Sequence, residues 1–105
     1  MTNASAVLTA LGDPTRRAIF ERLASGPCAV LDISRDLPVT RSAVSQHLKV
    51  LKSVGLVTGR AVGTRRVYNV DPEALAMVRE YFDSFWKQSL AAFRNAAEQQ
   101  TPEDR

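Results

Sequence analysis

Thr40-Arg41-Ser42-Ala43-Val44-Ser45-Gln46-His47-Leu48-Lys49-Val50-Leu51 has the period of a helix with one apolar and one polar side. Ala43, Val44, Leu48 and Leu51 recur at steps of three and four residues, the spacing of one helix face. Ser42, Ser45, Gln46 and Lys49 fall on or near another face at the same kind of spacing. Such a helix can pack on a core and still offer hydroxyl, amide and cationic donors to something outside. Thr40 is a suitable N-cap, and Gly55 suits the left-handed residue that follows a helix. The segment is therefore expected to be helical to about Val54.

Charge is segregated around this helix. From Leu37 to Val70 there are six basic residues, Arg41, Lys49, Lys52, Arg60, Arg65 and Arg66, and no acidic one. Acids are confined to the first 36 residues and to Asp71 onward. The net charge of the 105-residue chain is only +3, so the sorting of charge carries more meaning than its sum. Cations beside amide and hydroxyl groups suit double-stranded DNA. Arg41 can pair with guanine and Gln46 with adenine in bidentate fashion, and Lys49 can meet phosphate. Thr40, Arg41 and Ser42 sit at the positive end of the helix dipole, although Thr40 and Ser42 are also explained as capping residues. His47, the single histidine, has no Ser or Cys partner in a nucleophilic motif. It is either structural or a further DNA contact.

The flanking sequence supplies the frame. Ala4 to Leu11 has helical spacing and stops at Gly12. Asp13-Pro14 starts a second helix, with Asp as cap and Pro at the first position. It buries Ala18, Ile19 and Leu23 and ends at Ser25-Gly26-Pro27. A short third helix is expected over Val30 to Asp36, ended by Leu37-Pro38. Beyond Gly55 the period changes. The β-rich runs 56–62 and 65–70 are joined at Gly63-Thr64 as a hairpin. Arg65 and Arg66 alternate in the second run, so a regular strand cannot put both on one face, but residues at a tip escape that rule. Either can reach the minor groove or the backbone. Asp71-Pro72 opens a last helix to about Glu98. The expected architecture is mainly α with a β-hairpin wing: four helices, two strands and a long helix, a winged helix-turn-helix. Residues 1–98 form one domain for DNA binding and dimerisation, and 99–105 form a frayed tail.

These motifs resemble the ArsR/SmtB family of bacterial winged-helix repressors. The resemblance lies in Leu11-Gly12-Asp13-Pro14-Thr15-Arg16-Arg17, Ile19, Leu23, Ser45-Gln46-His47-Leu48-Lys49-Val50-Leu51, Gly55-Leu56-Val57 and Gly63-Thr64-Arg65-Arg66-Val67-Tyr68. It spans roughly Leu8 to Tyr68. It implies a homodimer built on the first and last helices, an imperfect palindrome in or near a promoter (commonly its own), and an effector that lowers DNA affinity. Metal sensors of the family carry two cysteines flanking a valine in the third helix. Here Val30 is flanked by Ala29 and Leu31, with Cys28 one step away. The family's other site needs Asp, His and Glu on the last helix, where this chain has no His. The resemblance is therefore to the metal-independent members, with no metal or other cofactor expected and a small-molecule effector of another kind.

The last helix carries five of the seven aromatics. Leu75, Val78, Phe82, Phe85, Trp86 and Phe93 recur at helical steps, with Tyr81 and Leu90 beside them. Each large side chain left in water forgoes about 1.5–3 kcal/mol, and one small domain has four other elements to bury. A dimer interface of Val78, Phe82, Phe85, Trp86 and Phe93 with Val7, Leu8 and Leu11 of the first helix is expected.

Other classes fit poorly. The chain lacks a phosphate-cradling glycine loop, a nucleophile motif and a metal cluster, so it is not read as an enzyme. It has no apolar run of the roughly 20 residues needed to span a bilayer and no signal-peptide pattern. A single cysteine cannot form an internal disulfide. A cytoplasmic protein is expected. The alternative to a DNA-binding regulator is a winged-helix module that binds protein, but such a face is usually more apolar at its centre.

Overall fold

The computed structural model describes residues 3–99. Its elements are α1 (Ala4–Ala10), α2 (Pro14–Ala24), β1 (Cys28–Ala29), α3 (Val30–Asp36), α4 (Arg41–Ser53), β2 (Val57–Val62), β3 (Arg65–Val70) and α5 (Pro72–Gln99). The helix order is the expected one, and a short strand, β1, is added to the hairpin. Cys28 and Ala29 pair antiparallel with Tyr68 and Val67, giving the sheet order β1-β3-β2. Two residues without alternation give no period-2 signal, which is why the sequence did not reveal this strand. The domain's last helix continues through Gln99; residues 100–105 of the expected tail lie outside those described.

Local chemistry explains the boundaries. Asn3, Asp13 and Thr40 accept the N–H groups of Ala6, Arg16 and Ala43 at 2.8, 2.9 and 3.1 Å, satisfying orphan donors of α1, α2 and α4. Helix α4 ends in a paired C-cap. The Leu56 N–H reaches the Leu51 carbonyl, the Gly55 N–H reaches that of Lys52, and Gly55 has φ 81°. Val62 pairs with Arg65, so Gly63-Thr64 is a two-residue loop, with Gly63 at φ 64°. A positive φ at the first loop residue alone is the pattern of a type II′ turn.

The core gathers Ile19 and Leu23 of α2, Ile33 of α3, Val44, Leu48 and Leu51 of α4, and Leu56 and Val57. Val7 of α1 and Ala74 of α5 close it. Ala18 and Ala43, expected inside, are half-buried. Val7 is a correction to the expected interface. It is wholly buried within the protomer, because α1 turns that residue onto the shared core, and no partner can touch it. Leu8, Leu11 and Val78 are half-buried, and Leu11 and Val78 pack against the core.

Beyond this core α5 stands largely alone. Its 28 residues extend about 42 Å at 1.5 Å each, and the molecule is correspondingly elongated, 72 × 26 × 20 Å. Every residue from Arg79 to Gln99 is exposed.

Since Leu48 is fully buried among α2, α3 and α4 residues, Leu48→Ala should lower unfolding free energy by about 2–5 kcal/mol. Gln46→Ala, on the exposed side, should change it by under about 0.5 kcal/mol. Urea unfolding of both variants checks the contrast.

Candidate nucleic-acid interface

With Val44, Leu48 and Leu51 turned inward, the helix period directs Ser42, Ser45, Gln46 and Lys49 outward, and all four are exposed together with Arg41. Thr40 is exposed too, but its Oγ1 is engaged with the Ala43 N–H as a cap. Arg65 and Arg66 are exposed at the base of the hairpin turn. The fold brings these two groups together. Arg41, Ser42 and Ser45 line an open cleft of about 420 Å³, across which stand Thr64, Arg65 and Arg66, while Ala29, Val30 and Leu31 complete its wall. Both arginines reach one cleft because they adjoin the turn. Gln46 and Lys49 lie on α4 outside this lining.

His47 is placed differently from its neighbours. It is half-buried, and its Nδ1 lies 3.2 Å from Nη1 of Arg16 on α2. A guanidinium only donates, so Nδ1 accepts and the proton of the neutral ring sits on Nε2. Arg16 also donates from Nε to the carbonyl of Ala10 at 2.7 Å, and Arg17 Nε donates to that of Leu11 at 2.9 Å. The two arginines thus satisfy carbonyls at the end of α1 that the helix leaves unpaired. Asp13 accepts from the Arg16 N–H, and this bond holds its carboxyl below the usual range, with the charge of the Arg16 guanidinium adding to the effect. Arg16 was not among the residues expected to shape this surface. A signal existed: His47 follows Val44 by three and precedes Leu51 by four, on the strip that borders the buried side.

A second feature invisible in the linear charge pattern is Asp32 of α3. Its carboxylate pairs with the Arg65 guanidinium through Oδ2 and lies 3.8 Å from Arg35 through Oδ1. The stretch without acids in sequence therefore has one in space.

Comparison with known proteins gives the family. The model of a helix-turn-helix domain matches residues 11–60. The chain is 60% identical over 84 residues to the HTH-type transcriptional regulator Rv2034 of Mycobacterium tuberculosis, covering 80% of this chain and 78% of that one. The ArsR-like transcriptional regulator from Rhodococcus sp. RHA1 superposes with a TM-score of 0.74 at 30% identity, over 90% of this chain and 92% of the other. The chain belongs to the ArsR/SmtB family. Also similar is the homodimeric winged helix-turn-helix DNA-binding domain of Mb0332 from Mycobacterium bovis, with TM-score 0.65 and 31% identity over 82% and 80% of the two chains.

Within this ArsR/SmtB chain, the residues flanking Val30 are Ala29 and Leu31, neither of which has a ligating side chain. Among the described residues no three His, Cys, Asp or Glu side chains are grouped to hold a metal ion, and no helix is long and apolar enough to cross a membrane. Cys28 is buried on β1. Desolvation pushes its thiol upward, against the opposing charge of Arg22. A raised folded-state pKa favours the neutral thiol. Its contribution to stability is complete below the unfolded thiol's pKa and is lost as pH rises through the folded one.

Cys28 should accordingly react with a disulfide reagent at pH 8 much more slowly in the native protein than after unfolding in urea. Equal rates would mean that the thiol is accessible and activated.

Proposed function

We propose that this ArsR-family regulator is a homodimeric repressor that binds an imperfect palindrome near a promoter and is released by an unidentified effector other than a metal ion. The observation that carries the proposal is the convergence of α4's exposed donors with the wing arginines on one cleft. Helix α4 enters the major groove with its N-terminal half, as the second helix of a helix-turn-helix does. Arg41 and Gln46 read base edges, Ser42 and Ser45 offer hydroxyls, Lys49 neutralises phosphate, and Arg65 and Arg66 follow the backbone into the adjacent minor groove. Thr40 supports this surface mainly by ordering the first turn. His47 contributes through Nε2–H, since Nδ1 is occupied by Arg16.

The dimer is proposed to form through α5. Phe82, Phe85, Trp86 and Phe93 are exposed by 53, 45, 64 and 74%, far more than isolated apolar residues on a monomer need explaining. Tyr81 and Phe85 stack edge to face at 4.8 Å, which fixes part of the stripe before a partner arrives. Leu8, Leu11 and Val78 lie where α1 and α5 meet the core and form the margin of this interface. Pairing two copies serves DNA binding because recognition helices must stand about 34 Å apart to enter successive major grooves.

Phe85→Glu with Trp86→Glu should convert the dimer to a monomer in sedimentation velocity; a variant that stays dimeric places the interface elsewhere. On duplexes selected from genomic DNA, Gln46→Ala should relax discrimination at one base position by about 1–3 kcal/mol. Lys49→Ala should weaken binding across all sequences and reduce the slope of log affinity against log salt by about one per protomer. Selected duplexes that bind no better than scrambled ones would refute specific recognition.

A further inference from the structure

We propose that Asp32 is a positioning residue for the wing, holding Arg65 on α3 so that the arginine reaches DNA phosphate only by exchanging one anion for another. The inference rests on the DNA-binding role proposed for the wing. Its basis is the placement of a carboxylate beside an otherwise basic cleft. Arg65 lines that cleft with Arg41 and Arg66, yet its guanidinium is paired with Asp32 Oδ2. Beyond its ion pairs and the favourable place of an acid near a helix N-terminus, Asp32 bonds no backbone group among the described residues. It lies in the first turn of α3, but the N-cap of that helix is Ala29 with no side-chain hydrogen bond. Among the described residues, its contacts as an acceptor or ion-pair partner are with Arg65 and, more distantly at 3.8 Å, with Arg35.

The consequence follows from counterion release. A free arginine that meets a phosphate displaces condensed cations from DNA, and each such contact steepens the salt dependence by about 0.9. An arginine already paired must first leave its carboxylate. The freed carboxylate then stands beside the phosphate, repels it and draws in screening cations, which offsets part of the release. Asp32 therefore lowers affinity for any phosphate backbone, whatever its sequence, while the base-reading side of α4 is untouched. The device weights recognition toward bases over backbone.

The test uses the 105-residue chain and a random-sequence duplex, with affinity measured by fluorescence anisotropy across a salt series. Asp32→Asn should bind this duplex more tightly by roughly two- to five-fold at low salt, the equivalent of one surface ion pair. Its salt slope should be steeper, by up to about 0.9 per protomer. Asp32→Glu should keep the wild-type slope, and an unchanged melting temperature for both variants confirms that α3 stays folded. The decisive arm is Arg65→Gln: in that background Asp32→Asn should have no effect on the slope. If Asp32→Asn steepens the slope equally with and without Arg65, the carboxylate acts only as bulk charge and the proposal is overturned. It is also overturned if Asp32→Asn weakens binding, or if Asp32→Glu matches Asp32→Asn. Failure of the underlying DNA reading looks different: the wild-type protein itself would show no salt-dependent binding.

Discussion

The burial of Val44, Leu48 and Leu51 on a single side of α4 is the constraint on which the rest depends. All three are removed from solvent, and at 3.6 residues per turn their azimuths leave no freedom for the others. Ser42, Ser45, Gln46 and Lys49 must face outward once these three face inward. The helix cannot slide or roll to adjust its polar side without lifting a large aliphatic side chain out of the core. Its ends are fixed as well, by the Thr40 cap and by the Gly55 termination. A protein surface with this many flexible polar side chains thus acquires a defined orientation from its apolar partners.

The wing obtains its position from the sheet and from Tyr68. Gly59 lies opposite Tyr68 in the β2–β3 register, and a Cβ there would come within 2.8 Å of the tyrosine ring. The absence of a side chain at position 59 lets the ring lie across the strand, while on its other edge β3 is held by Cys28 and Ala29. The hairpin is therefore anchored at its base on both sides. Toward the turn, residues 61–66 are exposed, and the tie to α3 is the ion pair of Asp32 with Arg65.

What was legible in the sequence was local. Caps at Asp13 and Thr40, the glycine after α4, the two-residue turn at Gly63-Thr64 and the aromatic stripe on α5 each depend on residues within a turn or two of one another. The outward residues of α4 followed directly from period. What escaped depends on pairs far apart in the chain. The β1 strand exists because Tyr68 and Val67 are there to receive Cys28 and Ala29, some forty positions earlier. Asp32 and Arg65 are 33 residues apart, and Arg16 and His47 are 31 apart. Val7 was misassigned for the same reason. Its helical spacing shows that it is apolar and one-sided but does not say which neighbour, core or partner, occupies that side.

Arg16 shows how these distant pairs bind the elements into one unit. Its guanidinium holds the Ala10 carbonyl at the end of α1 and the His47 ring on α4, while its own backbone N–H is fixed by Asp13 at the start of α2. Three helices therefore meet at a single side chain. A shift of α1 relative to α4 would break one of two bonds to the same planar group, and a planar fork tolerates little misalignment. Helix α1 in turn packs along α5, whose far half is the uncovered aromatic surface. The helix proposed to read DNA and the helices proposed to join two protomers are thus not independent parts connected by loops. They share a core through Val7, Leu48 and Ala74 and a polar contact through Arg16, so the placement of one protomer on another is also a placement of its reading helix.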